Sequence, residues 1–232
     1  MEQHLQVARD WVRSSVRRRC WIERMTALGM VFVAILCFGF WWVCVVGTLT
    51  GLAFIVSIAG IKLPNPVYVG LGVLLVQVGL FPFVRRAPQP TWRIDRTADT
   101  DEPLLIAPDH SGANLYWYNQ DHDFSFKRVY LALFFCVPIA LDEAWRHWRL
   151  GGYFARVDRE GLSRLAAWLL ERQCAAPLTE VELALGIDNF DRVVEQAASL
   201  PGYHVIPREP QLIRLTEDAE VAMLVRPHEV AA

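Results

Sequence analysis

The sequence predicts an α-helical membrane hairpin followed by a small α+β cytoplasmic domain of three helices and a β-hairpin. Two uncharged blocks predict the membrane hairpin, since residues 27–61 and 63–84 contain no Asp, Glu, Lys, Arg or His. Each block is long enough to cross a bilayer, which needs about 20 apolar residues. The domain is predicted by apolar residues that recur at the helical period after residue 158. With 53% apolar residues among 232, the composition is not that of an ordinary soluble enzyme.

The predicted membrane hairpin occupies residues 27–86. Its two spans and its tip lie at residues 27–61, 66–84 and 62–66. The tip carries two prolines, which stop helices, and its Lys62 is the only charged residue in residues 27–84. The first block exceeds one perpendicular crossing. It must therefore tilt, kink near Gly47–Gly51 or leave part of itself at an interface.

Basic residues predict the orientation of this hairpin. Residues 1–26 are expected to form a cytoplasmic helix with six arginines against three acidic residues, and Arg85 and Arg86 follow the second span. Under the positive-inside rule both termini lie in the cytoplasm, so we expect a multi-pass protein of the inner (plasma) membrane. An alternative use of the N-terminal arginines is to hold a helix against anionic lipid, although its apolar residues are only partly aligned on one face. Those residues are Leu5, Val7, Trp11, Val12 and Val16.

Gly47 and Gly51 form a G-x-x-x-G pattern inside the first span. In lipid, small residues four positions apart let two helices approach closely. The partner helix is either the second span of the same hairpin or the first span of a second copy of the protein. A simple kink in the first span explains the same two glycines.

Residues 87–128 are predicted to form an extended connector with short strands at 103–108 and 113–119, because prolines and turn-forming residues recur there. Two histidines and three carboxylates in this connector have metal-ligand or general-base chemistry. They are Asp109, His110, Asp121, His122 and Asp123. The cluster lacks an H-E-x-x-H helix, a cysteine pair and a third histidine. Turn residues beside aromatic strands explain the same pattern, so we predict no catalytic residue, no metal and no cofactor.

Residues 129–150 are predicted to be a juxtamembrane segment. The apolar run at 129–141 is too short for a span, and Trp145 and Trp148 follow it among basic residues. This pattern fits an amphipathic helix at the lipid headgroups, and it fits a core helix of the cytoplasmic domain equally well. A third span, which would place the C-terminal domain outside the cytoplasm, is the remaining alternative.

Residues 151–226 carry the signals of a folded domain, and residues 227–232 form a short tail. Gly151 and Gly152 are expected to end the helix that precedes the domain. Helical periodicity then predicts three further helices. Their expected N-terminal signals are Asp158, the capping box Thr179-x-x-Glu182, and Asp188. Gly186 is expected to close the second of these helices.

A β-hairpin is expected after the third helix. Pro201–Gly202 stops that helix, and Tyr203–Ile206 and Gln211–Leu215 have the residue types and spacing of two paired strands. Thr216 is then expected to cap a last short helix that ends before Pro227.

Three helices followed by a hairpin resemble the winged helix-turn-helix family, over residues 158–225. The resemblance implies that the third helix enters the DNA major groove and that the hairpin touches the DNA backbone. The charge argues against this use, because residues 158–225 carry six arginines against twelve acidic residues, and DNA repels an acidic surface. Winged-helix domains also bind proteins. The face expected to bind a partner comprises Asp191, Arg192, Glu195, Arg208 and Arg214.

The expected function is that of a membrane-anchored adaptor, or of a subunit of a membrane protein assembly, that binds a partner protein through its acidic domain. The expected partners are the lipid bilayer and an unidentified protein or a second copy of this chain. Nucleic acid is not expected as a partner, and no enzyme activity is predicted. Two alternatives remain: a membrane-tethered DNA-binding transcription regulator, and a membrane enzyme that uses the polar cluster at 109–123.

Overall fold

The structure is a computed structural model that describes residues 2–58, 60, 64–84, 91–96, 103–108, 133–172, 175–206 and 211–229. The chain is mostly helical with a few short strands, and it divides into two compact units. The first unit combines residues 1–23, 89–108 and 150–232. The second unit combines residues 24–88 and 109–149.

Two long helices contain the apolar blocks. Helix α1 runs from Glu2 to Ile58 and stays helical across the G-x-x-x-G pattern. Helix α2, Pro66–Val84, begins at a proline, whose fixed φ suits the first position of a helix. The side chain of Asn65 caps α2, since its oxygen accepts a hydrogen bond from the Val67 amide at 3.0 Å. By length and composition, both α1 and α2 are able to cross a membrane.

Within the second unit, α2 packs closely against α1 at Gly70. A Cβ atom at Gly70 would lie 3.1 Å from Cγ2 of Val46 and 3.6 Å from the Trp42 ring. The missing side chain therefore lets the α2 backbone pack against α1. Elsewhere in this unit the Phe81 and Phe135 rings lie 6.4 Å apart, centroid to centroid.

The first unit contains all the described strands. Strands β1 (Arg93–Asp95) and β2 (Leu104–Ile106) form an antiparallel pair, which we call the β1–β2 pair. Helix α3 (Cys136–Ala155) begins in the second unit and ends in the first. The first unit continues with α4 (Arg159–Arg172), β3 (Ala176–Pro177), α5 (Leu178–Leu185), α6 (Phe190–Ala198), β4 (Tyr203–Ile206), β5 (Leu212–Leu215) and α7 (Glu217–Glu229). Strands β3 and β4 both pair antiparallel with β5, so the sheet order is β3-β5-β4. The hairpin expected after the third helix of the domain is confirmed as β4–β5.

Two helices are longer than their sequence signals predict. Helix α3 continues through Gly151 and Gly152, so the prediction that they end it is wrong. Phe154 is 2% exposed, and its burial holds the last turn in helical form. Helix α7 continues past Pro227 to Glu229, so the prediction that it ends before Pro227 is wrong. The proline lies only two residues before the end of the helix, where it disturbs little of the helical ladder.

The core of the first unit includes the first turns of α1. Val12 is fully buried and Trp11 is nearly so, in one cluster with residues of α4 and α6. The Trp11 ring lies 5.5 Å from the Tyr203 ring, and a Cβ atom at Gly202 would lie 2.4 Å from it. The alternative in which Trp11 and Val12 rest on anionic lipid is therefore wrong, because both side chains are buried in protein.

Three of the predicted helix-end signals are confirmed. Asp158 caps α4, since its Oδ1 accepts a hydrogen bond from the Gly161 amide at 3.0 Å. Thr216 caps α7, since its hydroxyl oxygen accepts one from the Ala219 amide at 3.4 Å. Gly186 closes α5 in the left-handed conformation, with φ at 50°.

Two of the predicted N-caps are wrong. Helix α5 begins at Leu178 with Pro177 before it, so Thr179 does not cap it. The reason is that β3 ends at Pro177 and the chain turns directly into the helix. Asn189, not Asp188, precedes α6, and it has a left-handed φ of 58°, which asparagine tolerates better than most residues.

Candidate functional site

Acidic side chains of α5 and α6 hold the end of β1. Arg96, the residue after β1, donates from Nε to Oδ2 of Asp191 at 2.7 Å and from Nη2 to Oε1 of Glu182 at 2.9 Å. Its Nη2 also donates to Oδ1 of Asp191, so the pair with Asp191 is bidentate. The hydrogen bonds from Asp191 first, and then from Glu182, raise the pKa of Arg96 above its ordinary value.

The backbone of the β1–β2 pair is held as well. The Ile94 amide donates to Oε1 of Glu195 at 2.8 Å, and the Ile94 side chain belongs to the buried core. Gln211 binds β2 in both directions, because its Oε1 accepts from the Leu105 amide at 2.6 Å and its Nε2 donates to the Leu105 carbonyl at 3.4 Å. The β1–β2 pair therefore covers the side of α6 that carries Glu195 and Asp191.

The five residues that were predicted to bind a partner have different surroundings in the structure. Asp191 and Glu195 bind the chain's own β1 segment. Arg192 and Arg214 are exposed, and Arg208 lies outside the described residues. Sequence reasoning missed Arg96, which joins Asp191 to Glu182, because one arginine in a connector carries no local pattern. The only signal was the excess of acid over 158–225, which calls for basic partners.

Tyr153 of α3 belongs to the same electrostatic environment. Burial raises the pKa of Tyr153 to about 12, the negative charge of Glu195 raises it as a second cause, and Arg192 opposes the shift. The phenol of Tyr153 is therefore neutral throughout the physiological pH range.

Other arginines compensate acidic residues at the surface of the first unit. Nη2 of Arg9 lies 2.7 Å from Oε1 of Glu160, and Nη1 of Arg172 lies 3.1 Å from Oε1 of Glu180. Such exposed pairs contribute little to stability. The whole first unit still contains 20 acidic against 15 basic residues, a net charge of −5.

The two glycines of the G-x-x-x-G pattern, Gly47 and Gly51, have space beside them. Among the described residues, a Cβ atom at Gly47 or at Gly51 would meet nothing within 4 Å. The close approach of α2 to α1 occurs instead at Gly70. Sequence reasoning missed Gly70, because its spacing from Gly72 and Gly79 does not form a G-x-x-x-G pattern.

Gln77 is a buried polar residue of α2. It is fully buried, and neither atom of its side-chain amide has a hydrogen-bond partner among the described residues. An unpaired buried amide costs about 1–3 kcal/mol. No pattern in the sequence predicts this cost, because one glutamine does not interrupt an apolar block.

Helices α1 and α3 line an open apolar groove of about 360 Å³ in the second unit. Leu28 and Val31 line it from α1, and Leu141, Trp145 and Trp148 line it from α3. The α3 residues recur at i, i+4 and i+7, so they form one stripe of the helix. The groove therefore combines a stripe of α3 with the start of the apolar block of α1.

The polar cluster of the connector lies outside the described residues, and this holds for all five members: Asp109, His110, Asp121, His122 and Asp123. Within the part of the chain that the structure describes, no group of three or more His, Cys, Asp or Glu side chains is placed to hold a metal ion.

Comparisons of the chain with protein families, with curated proteins and with solved structures found no match. The function is therefore inferred from geometry, charge and hydropathy.

Proposed function

We propose that this protein is a membrane-anchored adaptor, or a subunit of a membrane protein assembly, that binds a partner protein through its acidic cytoplasmic domain. The observation that carries this proposal is the presence, in one chain, of two unburied apolar helices and a packed acidic unit. In the most apolar 18-residue stretch of α1, only 11% is buried inside the protein, and the same holds for α2. A core helix of a soluble protein would be mostly buried, whereas a helix that is apolar on all sides is suited to lipid.

In this proposal α1 and α2 cross the inner (plasma) membrane and both termini are cytoplasmic. The support is the distribution of basic residues, with six arginines in 1–26 and Arg85 and Arg86 after α2. From residue 27 to its end, α1 has a length of about 48 Å at 1.5 Å per residue. This exceeds the hydrocarbon core of about 30 Å, so α1 must tilt or extend beyond the core.

A winged-helix-like fold for residues 151–226 is part of the proposal. The order of elements supports it, since α4, α5 and α6 are followed by the β4–β5 hairpin and β3 completes the sheet. In that family the third helix, here α6, meets the target. Because Asp191 and Glu195 bind the β1 segment, the partner would meet the side of α6 that remains open, which carries Arg192.

Alkaline carbonate extraction of membranes that contain the full chain tests the anchor. We expect the protein to stay with the membrane pellet, and its release into the soluble fraction would refute the anchor. A protease-sensitive tag at the C-terminus tests the orientation. The tag should be cleaved in inside-out vesicles and protected in right-side-out vesicles, and the reverse pattern would refute the proposed topology.

Photo-crosslinking in the native membrane tests the adaptor function. The full chain is required, because residues 1–23 and 89–108 belong to the same unit as 150–232. A crosslinking residue at position 192 should give one discrete protein adduct, whereas one at Val221, an exposed residue of α7, serves as the matched control. If the solubilised chain retains DNA in a salt-dependent manner and no protein, the adaptor proposal fails.

A membrane-tethered DNA-binding transcription regulator is the second candidate, and the order of elements is the observation that favours it. DNA binding would require the exposed Arg192 to contact phosphate, so Arg192→Glu should abolish it. In the adaptor the same variant should weaken partner binding less than reversing the charge of acidic residues such as Asp188. A gel-shift assay beside the crosslinking assay distinguishes these outcomes.

A further inference from the structure

We propose that the apolar groove between α1 and α3 binds one acyl chain of an anionic membrane phospholipid, whose phosphate is held by Arg24 at the rim. The inference rests on the proposed membrane anchor and adds a specific ligand to it. The groove volume of about 360 Å³ lies within the roughly 300–1,000 Å³ of small-molecule sites. All of its lining residues are apolar, which suits a hydrocarbon chain.

The groove lies at the part of α1 where the sequence changes from charged to apolar. Ala27 lines the groove and is the first residue of the uncharged block, and Arg24 is the last basic residue before it. This change marks the boundary between headgroups and hydrocarbon in a membrane protein. Trp145 and Trp148 are 59% and 52% exposed, and tryptophan is favoured at that boundary.

Arg24 supplies a charge that is complementary to a phosphate. Its guanidinium carbon lies 5.9 Å from the centroid of the Trp148 ring, so a cation–π contact places the positive charge beside a groove-lining residue. A guanidinium donates two parallel hydrogen bonds to a phosphate. Free phosphate has no apolar part for the groove, and a fatty chain alone has no phosphate for Arg24. A phospholipid supplies both parts in one molecule.

Native mass spectrometry of the full chain in mild detergent tests this site. The probes are phosphatidylglycerol and phosphatidylcholine with identical acyl chains. The wild type should retain one phosphatidylglycerol about fivefold more strongly than phosphatidylcholine, the factor expected for one charge near an anionic lipid. Arg24→Glu should remove this preference and Arg24→Lys should keep most of it. Leu28→Trp, at a position that is 56% exposed, should fill the groove and remove the retained lipid.

Two matched controls should behave like the wild type. Val33→Trp adds the same ring to α1 at an exposed position away from the groove lining, and Arg149→Glu changes an exposed arginine of α3. Equal retention of both lipids by the wild type, or unchanged retention by Leu28→Trp, would overturn the inference. Carbonate extraction run in parallel separates the two proposals. A chain that stays in the membrane without lipid preference refutes the groove site alone, whereas a released chain refutes the anchor and the site together.

Discussion

Truncation of Ile94 should release the β1–β2 pair from α6 more effectively than truncation of Arg96. Ile94 is 8% exposed within the core, and a buried isoleucine truncated to alanine costs about 2–5 kcal/mol, so we expect about 3 kcal/mol for this short strand. The Arg96 side chain is 48% exposed, and its partners Glu182 and Asp191 are 37% and 38% exposed. Exposed ion pairs contribute about 0–1 kcal/mol, and the bidentate geometry favours the upper end of that range.

Hydrogen–deuterium exchange of the full chain in detergent measures both effects, through peptides that contain β1 and β2. Since a factor of ten corresponds to 1.4 kcal/mol, Ile94→Ala should speed their exchange by roughly 150-fold and Arg96→Ala by about fivefold. Arg93→Ala is the matched control, because Arg93 is an exposed arginine on the same strand. Peptides from α2, in the second unit, should exchange at the wild-type rate in all three variants.

Salt separates the contribution of packing from that of charge. At 1 M salt the Debye length is about 3 Å, so the effect of Arg96→Ala should shrink to less than about twofold. The effect of Ile94→Ala should be unchanged. A larger effect of Arg96→Ala than of Ile94→Ala at low salt, or an Arg96→Ala effect that salt leaves intact, would refute the ranking of packing above ion pairing.

Gly202→Ala should lower the free energy of unfolding by at least about 2 kcal/mol, because φ is 115° and the new Cβ would lie 2.4 Å from Trp11. Gly186→Ala, at a φ of 50° in open space, should lower it by only about 1 kcal/mol. A lower thermal midpoint for Gly186→Ala than for Gly202→Ala would contradict this ranking. Gln77→Leu should raise the thermal midpoint by removing an unpaired amide that costs about 1–3 kcal/mol, and a lowered midpoint would mean that the amide is satisfied. The pKa of Tyr153 is raised by burial to about 12, against about 10 in an unfolded chain. Its contribution to stability is therefore full below about pH 10 and is lost as the pH rises through about 12. Tyr153→Phe should make the fall in midpoint over this range shallower, and an unchanged slope would count against the raised pKa.

Several helix ends were predicted correctly from the residues around them. Asp158 and Thr216 cap their helices, and Gly186 closes α5, because each effect depends only on a few neighbouring residues. The predicted cap at Thr179 lies two residues from the observed position, Pro177, and the predicted cap at Asp188 lies one residue from Asn189. The position of a cap depends on the backbone angles there, and those are decided by how the neighbouring strand or turn packs.

The candidate site was predicted only in part. The sequence predicted that Asp191 and Glu195 lie on an acidic third helix, and α6 carries both residues. It did not predict that Arg96 and the Ile94 amide bind them, 95 and 101 positions away in the chain. Helical periodicity tells which side of a helix is apolar, but it does not tell which distant segment covers that side.

The sequence by itself determined that the chain contains two helices with the length and apolarity of membrane spans, and that residues 158–225 are acidic. These properties are sums over consecutive residues, so composition is enough to establish them. Only the tertiary structure decided that the first turns of α1, the β1–β2 pair and the C-terminal elements form one unit. The burial of Val12 and Ile94 in one core requires segments far apart in the chain to meet, and such a meeting leaves no local pattern in the sequence.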